Sequence, residues 1–285
     1  MSAQSMPAER HGGMGHALQA MRAIVWRELL KFARQYGRLG SALVRPLLWL
    51  AVFAAGFRNV FGVAIVEPYD TYIPYDVYIA PGLVGMVLLF NGMQSSLAMV
   101  YDREMGLMRL LLTAPLPRTW ILLSKLVATS VLSLVQAAAF VVVAALLGTG
   151  LPVWGLQTPH VLLAAVAAAL MLGAIGLLLS VHIRQLENFA GTMNFVIFPL
   201  YFMSTALYPL WKLEESGAAW VYQVARFNPF THAVEWMRFA LYGKDPGLSP
   251  WIVLGTLLAC FALASWGYDP QRGFGALSKR PGGAS

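Results

Sequence analysis

Six apolar runs, each close to the roughly 20 residues that a helix needs to cross a bilayer, limit what this chain can fold into. They lie near residues 43–63, 79–100, 120–147, 161–182, 189–209 and 250–268. Hydrophobic residues make up 58% of the chain and charged residues 12%, roughly half the charged share of soluble domains. The sequence therefore predicts an all-α integral membrane protein with six transmembrane helices, and it excludes one large soluble core.

The net charge of +7 is distributed unevenly along the chain. Residues 64–78 and 148–160 contain no Lys or Arg, whereas basic residues fill the N-terminal segment, residues 101–118, the connection after the fourth run and the tail: Arg10, Arg22, Arg27, Lys31, Arg34, Arg38, Arg45, Arg103, Arg109, Arg118, Arg184, Arg272, Lys279 and Arg280. The positive-inside rule then places both termini and residues 101–118 in the cytoplasm. The connection 210–249, which mixes basic and acidic residues, weakens this pattern.

Residues 101–118, between the second and third runs, read as a short amphipathic helix. One face carries a polar stripe at i, i+4, i+7 and i+11, formed by Asp102, Gly106, Arg109 and Thr113. The other face is apolar and carries Met105, Met108 and Leu112. Pro115 ends the helix because the residue before a proline disfavours helical geometry. A whole amphipathic helix here indicates a docking element for another protein.

A second amphipathic pattern precedes the first run. Its apolar positions step by three or four residues, at Leu18, Met21, Val25, Leu29, Phe32 and Tyr36. Its basic positions lie on the opposing side, at Arg27, Lys31, Arg34 and Arg38. We expect a helix lying in the membrane interface, with a soluble helix as the alternative. The predicted organisation is a cytoplasmic tail with this helix in residues 1–42, a membrane domain in 43–268 and a cytoplasmic tail in 269–285.

The connection 210–249 is aromatic and not simply hydrophilic. It contains Trp211, Trp220, Tyr222, Phe227, Phe230, Trp236, Phe239 and Tyr242. Trp and Tyr favour the membrane–water boundary, so this pattern predicts short re-entrant helices in the outer leaflet before the last span.

Motifs for catalysis are absent from the sequence. It contains no G-x-x-x-x-G-K-[ST], no H-E-x-x-H and no G-x-S-x-G, and its single cysteine, Cys260, cannot form an intrachain disulfide. We therefore expect no enzyme activity, cofactor or metal site in this chain. The basic clusters follow membrane topology, and we expect no nucleic-acid partner.

Three polar residues within the runs are candidates for a translocation path. Arg58 lies in the outer half of the first run, where a charge costs about 2.5–3.5 kcal/mol. It could line a path for an amphipathic or anionic substrate, snorkel to headgroups, or pair with Glu67 or Asp70. Asn91 and Gln94 could line a polar route or hydrogen-bond between helices.

Three segments resemble one known family. Residues 104–118 resemble the first cytoplasmic loop of type-2 ABC exporter permeases, and residues 227–235, which include Asn228-Pro229, resemble their Asn-Pro motif before the last span. Residues 198–209, which include Phe198-Pro199, are similar to their fifth span. The resemblance extends from about Val25 to Trp266. Its Met105-Gly106 and Pro115-Leu116-Pro117-Arg118 residues are closer to the nodulation-factor and drug-export branch than to polysaccharide permeases.

The resemblance implies a homodimeric six-span permease in the bacterial inner membrane, paired with two copies of a separate ATPase subunit that binds ATP and Mg. The coupling helix contacting that ATPase would contain Asp102, Arg103, Glu104, Met105, Gly106, Met108 and Arg109, with Glu104 and Arg109 giving polar contacts. Asn228 and Pro229 would belong to the path or gate. Such permeases export lipids, lipid-linked saccharides or drugs. The alternative is an ATP-independent secondary transporter or channel.

Overall fold

The structure, a computed structural model, describes residues 14–34, 36–57, 68–70, 75–105, 117–147, 157–183, 185–215 and 217–268. All regular elements in these ranges are α-helices, which confirms the predicted all-α class. Helices satisfy their backbone hydrogen bonds internally, as hydrocarbon surroundings demand. They are α1 Met14–Ala33, α2 Tyr36–Phe57, α3 Tyr75–Glu104, α4 Arg118–Leu146, α5 Thr158–His182, α6 Leu186–Phe202, α7 Leu210–Glu215, α8 Ala219–Phe227, α9 Pro229–Leu241 and α10 Ser249–Gly267.

Four of the described helices are long and apolar enough to cross a membrane: α3, α4, α5 and α10. They correspond to the second, third, fourth and sixth predicted runs. The first run corresponds to α2, whose apolar stretch Leu43–Val52 is shorter. The fifth corresponds to α6, which has 17 residues and ends three residues after Pro199.

Helix α5 lies at the centre of the bundle and contacts α3, α4, α9 and α10. Its contact with α3 is close because small residues face each other. A Cβ on Gly92 would lie 3.3 Å from backbone atoms of Leu172 and Gly173, and a Cβ on Gly176 would lie 3.0 Å from the Gly92 carbonyl oxygen. Small residues let helix backbones approach and gain dispersion energy where lipid offers no hydrophobic driving force.

The aromatic connection forms the short helices α7, α8 and α9, and their re-entrant placement in the outer leaflet stays a prediction. Helix α9 packs on α5, α10 and α3. Residues 68–70 are held beside its end, because the Lys244 ammonium lies 3.0 Å from an Asp70 carboxylate oxygen and the Tyr69 ring meets the Tyr242 ring edge-on at 4.9 Å. This end of the bundle is therefore closed by packed aromatic side chains.

Helix α1 lies against α4. The Trp120 indole N–H donates to the Ala17 carbonyl at 2.8 Å, and Phe32 is buried while Leu18 and Trp26 are exposed. The helix ends at Ala33, so Tyr36, which we included in its apolar stripe, belongs to α2.

The contact between α3 and α5 generates a stability prediction. Gly176→Ala should destabilise the protein by about 1–3 kcal/mol, because the added methyl group forces these helices apart. Gly255→Ala is the matched control, since Gly255 is also helical but a Cβ added there would meet no atom within 4 Å. Thermal unfolding of both purified variants checks this. Equal Tm values for the two variants would contradict the close contact.

Candidate functional site

The predicted coupling segment begins where α3 ends. Of its residues, Gly106, Met108 and Arg109 lie outside the described residues, as does the side chain of Arg103. Asp102, Glu104 and Met105 are described, and Met105 is exposed. We refer to the end of the bundle at which α3 ends and α4 begins as the α3–α4 end.

Asp102 forms an ion pair within the bundle. Its carboxylate oxygen lies 3.0 Å from the Lys125 ammonium in the second turn of α4. The Asp102 and Lys125 side chains are 12% and 14% exposed, so the pair is largely shielded from water. Lys125 therefore links α4 to the start of the coupling segment.

Glu104 makes a second link at this end. Its carboxylate accepts a hydrogen bond at 3.3 Å from the backbone N–H of Leu186, the first residue of α6. A carboxylate at a helix N-terminus is stabilised by the free N–H groups and by the helix dipole. Asp102 and Glu104 thus attach the end of α3 to two other helices.

A cavity of about 50 Å³ lies beside the ion pair, between α1, α3, α4 and α5. Glu28 and Lys31 of α1 line it together with Asp102 and Lys125. The amphipathic N-terminal helix α1 therefore lines the same cavity as the start of the coupling segment. A displacement of that segment would change the surroundings of Glu28 and Lys31.

Asn91 and Gln94, the predicted path residues of α3, have different surroundings. The Asn91 side-chain N–H donates to the Ser133 hydroxyl at 2.8 Å, and its oxygen accepts from the Gln136 side chain at 3.1 Å. These buried bonds join α3 to α4, the interhelical use that we gave as one alternative. Gln94 is only partly buried and lines a cavity with Arg45 and Gln136. Arg58, the third candidate, lies outside the described residues.

Asn228 and Pro229 form a joint between α6 and α9. The Asn228 side-chain oxygen accepts from the Phe230 N–H at 2.9 Å and so caps α9, while Pro229 occupies its first turn. The Asn228 side-chain N–H groups donate to the carbonyls of Leu200 and Met203 at 2.8 and 2.7 Å. The Asn228 amide therefore supplies hydrogen-bond partners both to the first turn of α9 and to the carbonyl groups at the end of α6.

Beside this joint is an open apolar groove of about 650 Å³. It lies between α6 and α8 and is lined by Phe195, Val196, Pro199, Leu200, Gln223, Val224, Phe227, Asn228 and Pro229. Phe195 is 79% exposed and Phe227 is 75% exposed in the single chain. Among the predicted path residues, Asn228 and Pro229 therefore lie at the edge of an apolar groove, whereas Asn91 lies in a buried contact between helices.

Sequence reasoning missed the buried charge of Arg238. This side chain is 2% exposed, donates to Glu235 and to the Thr205 carbonyl at 2.9 Å, and places its guanidinium carbon 4.1 Å from the centre of the Tyr78 ring. The only sequence signal was the i, i+3 spacing of Glu235 and Arg238 in an aromatic helix. Arg238 thereby attaches α9 to α3 and to the segment after α6.

These features describe a helical membrane domain in which the end of α3 is attached to α4 and α6 and the Asn-Pro pair joins α6 to α9. The sequence model of the ABC-2 type transporter family matches residues 19–242. This chain belongs to the ABC-2 type transporter family. As an ABC-2 permease it is a membrane-embedded subunit of an ABC transporter, and the family implies an ABC ATPase as its partner.

Named relatives agree with this assignment. The permease is 30% identical over 258 residues to a transport permease, ycf38, of Pyropia yezoensis, which covers 88% of this chain and 80% of the relative. It is 30% identical over 233 residues to the ycf38 permease of Porphyra purpurea, covering 80% and 76%. It is 24% identical over 250 residues to the daunorubicin resistance ABC transporter permease protein DrrB1 of Streptomyces coeruleorubidus, covering 86% and 84%.

The ion pair at the α3–α4 end of the permease predicts a specific pattern of stability. Lys125→Met should cost about 3–5 kcal/mol, because it leaves the Asp102 carboxylate shielded from water without its partner. Adding Asp102→Asn should recover most of that loss. Lys212→Met, which breaks the exposed pair with Glu215, is the control and should cost about 0–1 kcal/mol. Thermal unfolding of the wild type and these three variants tests this, and additive losses for the double variant would contradict it.

Proposed function

We propose that this permease is the membrane-spanning half of an ATP-driven exporter that moves a hydrophobic or amphipathic substrate, such as a lipid, a lipid-linked saccharide or a drug, out of the cell. The chain itself binds no nucleotide in this proposal, and two copies of a separate ATPase subunit bind ATP and Mg. Two copies of the permease form the path.

The observation that carries the proposal is how both flanks of residues 106–116 are held. Before this segment, Asp102 is paired with Lys125 of α4 and Glu104 is bonded to the start of α6. After it, Trp120 of α4 is bonded to α1. An ATPase that binds residues 102–113 would therefore act on four helices at once. Such a connection suits a subunit that converts an ATPase movement into a movement of its spans.

Six spans, with α2 and α6 added to the four long apolar helices, complete the proposed membrane domain, which α2 extends from residue 43 back to Tyr36. At 1.5 Å per residue α2 is about 33 Å long and α6 about 26 Å, close to the thickness of a bilayer core. An even number of spans puts α1 and residues 269–285 on the same side, and we place both in the cytoplasm of a bacterial cell, with the permease in the inner membrane.

The numbers of Lys and Arg on the two sides support this orientation. The connection 210–249 contains four, Lys212, Arg226, Arg238 and Lys244. The N-terminal segment, residues 101–118, the connection after α5 and the tail together contain thirteen besides Arg45. This excess favours a cytoplasmic α3–α4 end.

A second copy of the permease fits the apolar side formed by α2 and α6. These helices meet through Trp49 and Phe202, whose ring centres lie 6.0 Å apart. Both expose large apolar side chains on the single chain: Val44, Leu48, Val52, Phe195 and Phe198. The groove between α6 and α8 continues this surface, and its apolar lining suits a hydrophobic cargo.

Arg109→Ala tests the coupling role. In the permease–ATPase complex, export should fall about 5-fold or more, the scale of typical coupling free energies of about 1–3 kcal/mol, while ATP turnover and thermal stability are retained. Lys212→Ala, which removes an exposed charge in the connection 210–249, is the control and should export normally. Unchanged export by Arg109→Ala would remove the coupling assignment. Export by the permease without any ATPase would favour the secondary transporter.

Cysteine labelling tests the orientation. In a Cys260→Ser background, a cysteine replacing exposed Asp70 should react with a membrane-impermeant maleimide in intact cells. A cysteine replacing Arg109 should react only after the cells are opened. Labelling of the Arg109 position from outside would overturn the proposed topology.

A further inference from the structure

Arg45 lies within a membrane helix and not ahead of it. The sequence pattern grouped it with the bases of the N-terminal segment, whereas the structure puts it inside α2, in the apolar stretch Leu43–Val52. Its guanidinium carbon lies 3.9 Å from the centre of the Phe90 ring on α3. The charge therefore points across to α3, where it packs on an aromatic face.

The depth of this charge follows from its neighbours. Phe90 lies about 18 Å along α3 from Asp102, and Gln136 lies about 16 Å along α4 from Lys125, at 1.5 Å per residue. If the Asp102–Lys125 pair marks one membrane boundary, Arg45 lies near the middle of a hydrocarbon core of about 30 Å. Lysine and arginine at helix ends reach headgroups, but a guanidinium held at this depth over Phe90 does not.

Arg45 has no carboxylate partner among the described residues. The ion pairs of that part of the chain join other residues. A charged side chain at membrane depth is costly, and such residues pair with a counter-charge or face a cavity that serves a substrate. The structure supplies a cavity, of about 90 Å³, directly beside Arg45.

Amide side chains surround this cavity. Gln94, Asn91 and Gln136 line it together with Arg45, and the remaining walls are mainly apolar. Asn91 and Gln136 each use one of their two amide N–H groups in the buried bonds between α3 and α4. A fixed positive charge and further amide N–H groups thus meet at one place. The volume is well above the roughly 10–15 Å³ that admits a single water.

We propose that Arg45, Gln94 and Gln136 form an anion subsite that receives the carboxylate or phosphate group of the transported amphiphile on its way through the membrane. This inference rests on the proposed transport function and adds to it a substrate class, an apolar molecule with one anionic group. A planar guanidinium binds both groups through two parallel hydrogen bonds, and the amides add donors. Arg45 is exposed on the single chain and lies one turn from Leu48, on the side of α2 that we assign to the second copy, so the subsite opens towards the path between the two copies.

Binding to the full-length permease in phosphatidylcholine nanodiscs tests the subsite without the ATPase. Labelled dodecyl phosphate should bind wild type, and Arg45→Gln should weaken its binding about tenfold or more, because the charge-assisted hydrogen bonds are lost. Arg45→Lys should keep part of the affinity, and Gln94→Leu should weaken binding with the cation retained. Arg34→Gln removes an exposed cation after α1 and is the matched control, with binding unchanged.

The competitors identify the source of the anion. Dodecanoate should displace dodecyl phosphate, and dodecyltrimethylammonium should not. Displacement by inorganic phosphate at similar concentrations would make this a site for free anions and overturn the proposal, as would equal binding by wild type and Arg45→Gln. If Arg45→Gln does not fold, as judged by size-exclusion chromatography, the Arg45→Lys and Gln94→Leu variants decide.

ATP turnover distinguishes a transported amphiphile from a lipid that merely binds at this site. In the permease–ATPase complex, dodecyl phosphate should change ATP turnover, and Arg45→Gln should raise its half-maximal concentration about tenfold. Binding in nanodiscs without any effect on turnover in a coupled complex would show a lipid site and overturn the cargo role. A different result would count against the proposed ATP-driven function: dodecyl phosphate binds in nanodiscs and depends on Arg45, but no substrate tested changes the ATP turnover of the complex.

Discussion

Close contact between α3 and α5 is the constraint on which the rest of the structure depends. In hydrocarbon, helices gain nothing from burying apolar surface against each other, so their association requires tight packing and hydrogen bonds between them. Gly92 and Gly176 let the two backbones approach, and the buried bond from Asn91 to Ser133 then fixes α4 beside α3. The other helices are added around this unit: α10 and α9 on α5, α1 on α4 and α2 on α3.

Ion pairs with little exposure to water lie at both ends of this bundle. At the α3–α4 end a shielded pair, Asp102–Lys125, lies beside a cavity that also contains charges of α1. At the other end Arg238 is buried against Glu235 and Tyr78, and Lys244 is paired with Asp70. Removing one partner of Asp102–Lys125 or of Arg238–Glu235 leaves a desolvated charge in place, so each residue of these pairs depends on the other.

Sequence patterns predicted what depends on local composition, and missed what depends on distant partners. The apolar runs predicted α3, α4, α5 and α10, and the aromatic connection predicted its short helices, because length, hydropathy and proline act locally. Arg238 and Tyr78 are separated by 160 positions along the chain, so no window shows their contact. Arg45 was grouped with the basic N-terminal segment because it lies at the start of the first apolar run, whereas α2 begins at Tyr36 and continues through it.

The distribution of tight and loose contacts indicates which helices move. Helices α3, α4 and α5 are joined by glycine contacts and by the Asn91–Gln136 bonds, and a packed core of this kind has discrete arrangements and does not deform continuously. Helix α6 packs on α3 with Ile197 and Tyr201 in the core, is bonded at its ends through Glu104 and Asn228, and exposes Phe195 on its other side. A pull on residues 106–116 would therefore act on α3, α4 and α5 as one packed body and would reach α6 through its packing on α3 and through Glu104, while the exposed side of α6 stays next to the apolar groove.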